Sequence, residues 1–374
     1  MATRIIQVGA EDDLTGRRSP LTAALRAVRA GRLVGFPTET VYGVAAAATE
    51  AAAVSRLRDL KDRPGGAFTV HLGSPADAGR YVADVPPRAR ALMRKAWPGP
   101  LTLLLPVPRR LPDGSLRGRG LRRRIGPEGV VGLRCPDDPV ARALLSRTHK
   151  PVLATSANLP GRAPATSAAE ALEQLDGRID VLIDGGPTRH RRASSIVAVD
   201  AGGLEVVREG VYGRSAIERL SRLTILFVCT GNTCRSPMAA WLAEKLLSDR
   251  LGCRADELPA AGVQVRSAGT FALAGGRASP QAVDAARALG AEPRRHRSRK
   301  LTKELINEAD LIFCMGRSHV AEVTGRVSGA AGRTFLLDAR GDIADPIGGD
   351  ADRYAAVARR IRERLRKRLS ENGL

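Results

Sequence analysis

Strands and helices alternate along this chain, and the alternation starts afresh at Leu223, so the sequence predicts an α/β protein of two domains. The first is expected to be an open twisted mixed sheet and the second a small doubly wound parallel sheet. Length agrees, because 374 residues exceed one ordinary core and suit two domains of about 150 to 200 residues. The apolar pattern loosens over residues 211–222 before the continuous apolar run at 223–228. That places the domains at 1–214 and 223–374, with a linker at 215–222.

Residues 21–30 have the apolar spacing of an amphipathic helix, which Gly31 ends before a strand at 33–36. A helix at 50–60 stops at the polar turn Lys61-Asp62-Arg63-Pro64-Gly65-Gly66 and leads to an apolar strand at 68–72. Short apolar runs between turn residues predict further strands at 101–106, 130–133, 152–154, 181–183 and 196–199. Residues 106–129 are dense in Arg, Gly and Pro and lack apolar periodicity, which predicts a mobile basic loop, or else an insertion without a role. The second domain opens with a strand at 223–228 and a helix after Ser236, followed by a strand at 263–266 and a helix at 281–289. Strands at 311–315 and 334–337 come next, then a closing helix at 352–369 whose many arginines predict a solvated face.

A hydrophobic content of 43% with only 3% aromatic residues means that the cores rest on Ala, Leu and Val. No apolar run reaches the ~20 residues of a membrane-crossing helix, and residues 1–9 do not read as a signal peptide, so a cytoplasmic protein without membrane contact is expected. Five cysteines, Cys135, Cys229, Cys234, Cys253 and Cys314, lack zinc-ligand pairing, and no metal site is expected. The net charge of +21 favours anionic partners such as nucleotides, phosphorylated substrates or RNA, although a solvated basic surface would look the same.

The strand at 223–228 delivers Cys229-Thr230-Gly231-Asn232-Thr233-Cys234-Arg235-Ser236-Pro237 to the start of a helix. A loop so placed turns backbone N–H groups and the positive end of the helix at one point, which suits an oxyanion. A cysteine there is expected to have a lowered pKa and to act as a nucleophile. Arg235 can return over the loop to bind phosphoryl oxygens, and Asp345-Pro346 offers a general acid on a rigid turn. A buried inert thiol is the alternative for Cys229. Asn232 would hold the loop in shape, and Ser236 would hydrogen-bond the sulfur.

With Ser267-Ala268-Gly269-Thr270, residues 309–315 and Asp345-Pro346-Ile347-Gly348-Gly349, this region resembles the low-molecular-weight protein tyrosine phosphatase family. The resemblance implies a phosphocysteine intermediate without a cofactor, Cys229 as nucleophile, Arg235 as phosphate binder and Asp345 as acid and then base. It matches Cys234 to a second loop cysteine that can pair with the nucleophile under oxidation. Thr233 is similar to the protein arginine phosphatase branch and leans towards phosphoarginine over phosphotyrosine in protein substrates. Ile347 departs from both branches, which usually present an aromatic ring there.

The first domain offers Pro37-Thr38-Glu39-Thr40-Val41-Tyr42-Gly43, Lys61-Asp62-Arg63, His71 and Thr155-Ser156-Ala157-Asn158 at strand ends, where ligands of α/β sheets settle. Cationic Lys61 and Arg63 beside hydroxyl and amide groups suit a nucleoside triphosphate. With Trp97-Pro98-Gly99-Pro100-Leu101-Thr102 and Ser194-Ser195-Ile196-Val197, residues 17–214 resemble the threonylcarbamoyl-adenylate synthase family. The resemblance implies that L-threonine, bicarbonate and ATP, the last with Mg²⁺, yield threonylcarbamoyl-AMP and pyrophosphate for tRNA modification. It places Thr40, His71, Arg134, Ala154 and Ser194 around threonine, and Lys61, Arg63, Ser156 and Arg208 around ATP. The competing reading is a non-catalytic module for double-stranded RNA or tRNA, drawn from the charge and the basic loop.

Overall fold

A computed structural model describes residues 2–16, 18–116, 120–200, 203–293 and 295–374. The chain divides into two compact units, Met1–Ser221 and Arg222–Leu374. Residues 215–222, expected as a linker, instead contain most of the helix Arg214–Leu220, whose Ile217 is fully buried in the core of the first unit. Its apolar anchor, together with the Arg88 hydrogen bond to the Ser221 hydroxyl (3.1 Å), ties this segment to the first unit.

The strands of the first unit are β1 (Arg4–Gln7), β2 (Val34–Phe36), β3 (Gly43–Ala47), β4 (Thr69–His71), β5 (Leu101–Pro106), β6 (Val130–Arg134), β7 (Val152–Ser156), β8 (Val181–Asp184), β9 (Ser195–Asp200) and β10 (Gly203–Arg208). They form one mixed sheet in the order β1-β8-β2-β3-β7-β4-β6-β5-β9-β10. Strand β3, which follows the motif at 37–43, is not among the expected strands: its three alanines favour helix by propensity, yet it is buried throughout and pairs antiparallel with β2 and β7. The edge strands β1 and β10 also escaped the apolar pattern, because each carries only one buried residue.

Alternation along the strands sorts this sheet into two faces. Helices Thr22–Arg29 and Pro139–Thr148 cover one face beside Val34, Phe36, Ala45, Ala47, Val181 and Ile183. The opposite face buries Val44, Ala46, Val70, Leu103, Leu133 and Leu153 in the larger core. Further along the first face, at β4, β6, β5 and β9, the same alternation turns polar residues to the surface of the sheet, and a cavity lies there. The basic loop is in part ordered: Leu121–Ile125 is a short helix whose ends Leu121 and Ile125 are buried, and Arg124 donates to the Ala48 carbonyl (2.6 Å). Arg117 and Arg119 of that loop lie outside the described residues.

The second unit contains β11 (Leu223–Cys229), β12 (Val263–Gly269), β13 (Leu311–Cys314) and β14 (Thr334–Leu336), all parallel in the order β12-β11-β13-β14. Successive residues of β11 feed both faces. Leu226 and Val228 join Ile306 and Val323 from the helices Lys303–Glu308 and Arg317–Arg326, while Phe227 stacks on Phe313. Helices Arg235–Leu251, Pro280–Arg287 and Ala351–Glu371 pack on one another. The last of these is more than a solvated face, because Arg360 and Arg364 pair with the buried Asp338 and Arg368 donates to the Leu336 carbonyl.

Candidate active sites

The cavity of the first unit is about 550 Å³. Residues two apart on neighbouring strands line it: Thr69 and His71 on β4, Gly132 and Arg134 on β6, Thr102 and Leu104 on β5, and Ala154 and Ser156 on β7. Lys61, Arg63, Ser194 and Arg208 complete it, so eight of the nine residues expected around threonine and ATP share one space. The ninth, Thr40, is fully buried and is not part of the lining; its hydroxyl accepts from Arg134 Nη2 at 2.6 Å.

Arg134 is the centre of a buried network. Its Nη2 also reaches Glu39 Oε1 at 2.9 Å, with side-chain exposures of 6% and 1% for the two partners, and Glu39 Oε2 accepts from the Asp137 backbone at 3.0 Å. The Arg134 Nε is buried without a hydrogen-bond partner, so this side chain retains a donor. Burial, and then the charge of Arg134, push the His71 pKa down to about 3, which keeps the ring neutral. Its Nδ1–H donates to the Thr69 carbonyl at 3.2 Å, leaving Nε2 as an acceptor.

Lys61 is engaged differently from what its expected contact with ATP suggests. Its Nζ donates to the carbonyls of Ser156 (3.3 Å) and Asn158 (2.7 Å) and to Asn158 Oδ1 (3.1 Å). All three ammonium donors therefore shape the Thr-Ser-Ala-Asn loop, and only the positive field faces the cavity. Burial and then Arg63 push the Lys61 pKa down to about 8. Arg208 donates to the Ser194 carbonyl at 2.8 Å, and Thr102 and Ser194 share a hydroxyl contact of 3.0 Å. Glu39 and Thr102 went unassigned from sequence, although both stand inside the quoted motifs. Among the described residues four cations and one carboxylate, Glu128, line the space, an excess of positive charge that suits an anion.

In the second unit Cys229 ends β11, and Arg235 begins the helix Arg235–Leu251. The Cys229 sulfur lies 3.0 Å from Ser236 Oγ and accepts from the Asn232 backbone N–H at 3.2 Å. Asn232 adopts a positive φ of 54°, and its amide donates to Ser236 Oγ and Ser267 Oγ, each at 2.9 Å, while its Oδ1 accepts from Arg299 N at 2.9 Å. His296 Nε2 donates to the Asn232 carbonyl at 2.7 Å. Gly269 is needed beside this loop, because a Cβ would stand 2.4 Å from the Thr230 carbonyl oxygen.

The expected lowering of the Cys229 pKa is not what this arrangement gives. Burial pushes the thiol up, against the downward pull of the Ser236 hydroxyl and N–H, Arg235 and the Asn232 N–H. Arg235 itself pairs with Asp345 and donates to the Ile343 carbonyl at 3.1 Å. Its guanidinium thus meets a carboxylate directly while still pulling on the sulfur at longer range. Arg235 also touches Thr230 Oγ1 (3.4 Å), which meets His319 Nε2 at 3.0 Å. The buried His319 has no partner at Nδ1 and was not legible in the sequence.

Cys234 keeps a free thiol, with Tyr354 Oη at 3.3 Å and Ser279 Oγ at 3.4 Å as neighbours. Thr233, half-buried beside it, accepts from Ser279 N at its carbonyl (3.0 Å). Ile347 is 67% exposed beyond the Asp345-Pro346 turn.

An anion-receiving cavity on a mixed sheet and a cysteine-centred phosphate loop on a parallel sheet define two α/β modules of the kinds that handle phosphate compounds. The chain belongs to two families: the Sua5/YciO/YrdC model, described as "Telomere recombination", matches residues 26–210, and the low molecular weight phosphotyrosine protein phosphatase model matches residues 224–372. The first unit is similar to threonylcarbamoyl-AMP synthase of Bacillus subtilis, 36% identical over 189 residues, which are 50% of this chain and 52% of the relative. The chain thus spans about half the length of the first curated relatives it matches. The second unit is similar to the protein-arginine-phosphatase of Geobacillus stearothermophilus, 43% identical over 152 residues, which are 39% of this chain and 93% of the relative. A solved structure of Sua5 from P. abyssi, 24% identical, shares the fold with a TM-score of 0.52, covering 71% of this chain and 91% of that one.

Proposed function

We propose that the first unit is an L-threonylcarbamoyladenylate synthase and the second a cysteine-dependent protein phosphatase, joined in one cytoplasmic chain. For the first unit the observation that carries the reading is the convergence of Lys61, Arg63, Arg134 and Arg208 on one cavity. Arg134, held by Thr40 and Glu39, would take the threonine carboxylate, with neutral His71, Ala154 and Ser194 around the rest of the amino acid. Threonine and bicarbonate would give the carbamate, whose oxygen attacks the α-phosphate of ATP. Lys61, Arg63, Ser156 and Arg208 would disperse charge on the departing pyrophosphate. The lining offers a single carboxylate, Glu128, so Mg²⁺ would be held by the nucleotide phosphates more than by a protein cage.

For the second unit the carrying observation is the pairing of Arg235 with Asp345 above the Cys229 loop. A phosphoryl dianion would compete for the guanidinium, bind between Arg235 and the loop N–H groups, and release Asp345. The Cys229 thiol proton would pass, through the bound phosphoryl group, to the freed Asp345 carboxylate, which would then protonate the leaving group as the sulfur attacks phosphorus. Hydrolysis of the phosphocysteine would follow, with Asp345 as base and Ser236 hydrogen-bonding the departing sulfur. Thr233 and the similarity to a protein-arginine-phosphatase favour phosphoarginine as the substrate group.

The test is pyrophosphate release by the intact chain, omitting ATP, threonine or bicarbonate in turn, alongside hydrolysis of phosphoarginine and phosphotyrosine peptides. Release that needs all three substrates and faster phosphoarginine hydrolysis is the expected result. No release from a chain that still hydrolyses an aryl phosphate would sink the synthase reading and leave RNA binding as the role of the first unit.

A further inference from the structure

Two loops border the phosphate loop and are fastened to it at four points. Phe271 N donates to the Thr230 carbonyl and Ser279 N to the Thr233 carbonyl, each at 3.0 Å, while His296 Nε2 and Arg299 N donate to Asn232 at 2.7 and 2.9 Å. They are also joined to each other, by Gly275 N to the Ser298 carbonyl (2.9 Å) and Ser298 N to the Gly276 carbonyl (2.8 Å). Their geometry is therefore tied to that of the catalytic loop.

Residues 271–279 and 295–300 contain five cations, Arg277, Arg295, Arg297, Arg299 and Lys300, and no acidic residue. All five are exposed, and among the described residues none forms an ion pair. Elsewhere in this unit arginines are commonly paired, as Arg266 is with Glu308 and Arg326 with Glu322. The same loops expose Phe271 (76%) and Leu273 (87%). With Ile347 after the Asp345-Pro346 turn, these are the exposed large hydrophobic residues of the unit among those described. Apolar side chains left in water together with unpaired charge of one sign mark a surface that meets a partner.

We propose that these loops dock the protein part of the phosphorylated substrate, and that they select phosphorylated residues set in acidic segments with an apolar side chain nearby. The inference rests on the phosphatase reading and deepens it by naming the substrate class. A protein fits better than RNA because Phe271 is the one exposed aromatic ring among the described residues of these loops, whereas Leu273 and Ile347 offer aliphatic contact. The charges would act through exposed pairs, which are individually weak and additive over several contacts, giving about tenfold in kcat/KM at low salt.

The experiment uses the full chain with three phosphoarginine peptides of equal length, flanked by acidic, neutral or basic residues, and an aryl phosphate as a substrate without flanks. The acidic peptide should lead the neutral one by about tenfold, and the lead should shrink as salt is raised from about 50 to 500 mM. The combined variant Arg295→Glu, Arg297→Glu and Lys300→Glu should abolish or invert the order and leave aryl phosphate hydrolysis within about twofold. If that variant misfolds and loses aryl phosphate hydrolysis, the salt series on the unaltered chain decides alone. Equal kcat/KM for the three peptides overturns the proposal. So does RNA binding that the variant loses while the unaltered chain shows no peptide preference. Failure of the unaltered chain on every substrate, aryl phosphate included, strikes the phosphatase reading instead.

Discussion

Replacing Glu39 by alanine removes the carboxylate that balances Arg134 inside the first unit. The pair is buried, with side-chain exposures of 6% for Arg134 and 1% for Glu39, at 2.9 Å. Breaking a buried pair from one side leaves the other charge uncompensated and costs about 3–5 kcal/mol. The Thr38 and Thr40 hydroxyls still face the guanidinium at 3.4 and 2.6 Å, which holds the expected loss towards the lower figure. The Asp137 N–H loses its acceptor in the same step. Glu39→Gln removes the charge and one of the two acceptors, because its NH₂ must face either Arg134 Nη2 or the Asp137 N–H, so its loss should be about 2–4 kcal/mol. Urea titration of the full chain, followed by loss of pyrophosphate release, reads this directly, while aryl phosphate hydrolysis serves as an internal control on the second unit. The threonine KM should rise in both variants as Arg134 loses its fixed position. A Glu39→Ala chain that loses under 1 kcal/mol and keeps its threonine KM would refute the argument that this pair organises the cavity.

Lys61 is cationic below its pKa of about 8 and neutral above it, so the KM for ATP should climb as pH rises through 8, and Lys61→Arg should remove that climb. Because the folded pKa lies below the ordinary 10.5, the same group should make the folded state gain stability between pH 8 and 10.5, which a pH series of urea midpoints would register. Asn232→Gly and Asn232→Ala both forfeit the bonds to Ser236, Ser267 and Arg299 N, but alanine must also hold a φ of 54° and should be the less stable by about 1 kcal/mol in thermal unfolding. His319→Ala should lower phosphatase kcat/KM about fivefold by freeing Thr230, and His319→Asn should restore part of it; equal loss in both would remove the hydrogen bond as the cause.

Much of this molecule was legible because its chemistry sits where strands end. The apolar run into Cys229 and the helix after it set the loop between them by local pattern alone, and the structure keeps Asn232 and Ser236 on the sulfur, with Arg235 at the start of the helix. Eight cavity residues from separate motifs also met in one space, since short polar motifs at strand ends converge once the strands share a sheet. What escaped is what depends on neighbours. Ala45 to Ala47 form strand because β2 and β7 enclose them, which outweighs the preference of alanine for helix.

The state of Cys229 shows the same limit in electrostatic form. A helix start and an arginine argue for a thiolate, but burial decides the outcome, and the arginine's own partner Asp345 lies 110 positions away in sequence. Burial outweighs the pull of Ser236, Arg235 and the Asn232 N–H and raises the sulfur's pKa. On the proposed reading, a phosphoryl group that takes the guanidinium would also free Asp345, so the step that binds substrate would be the step that releases this carboxylate. The pairing of Arg235 with Asp345 would thus couple recognition of phosphate to readiness for proton transfer, and spacing alone could not have disclosed the pairing.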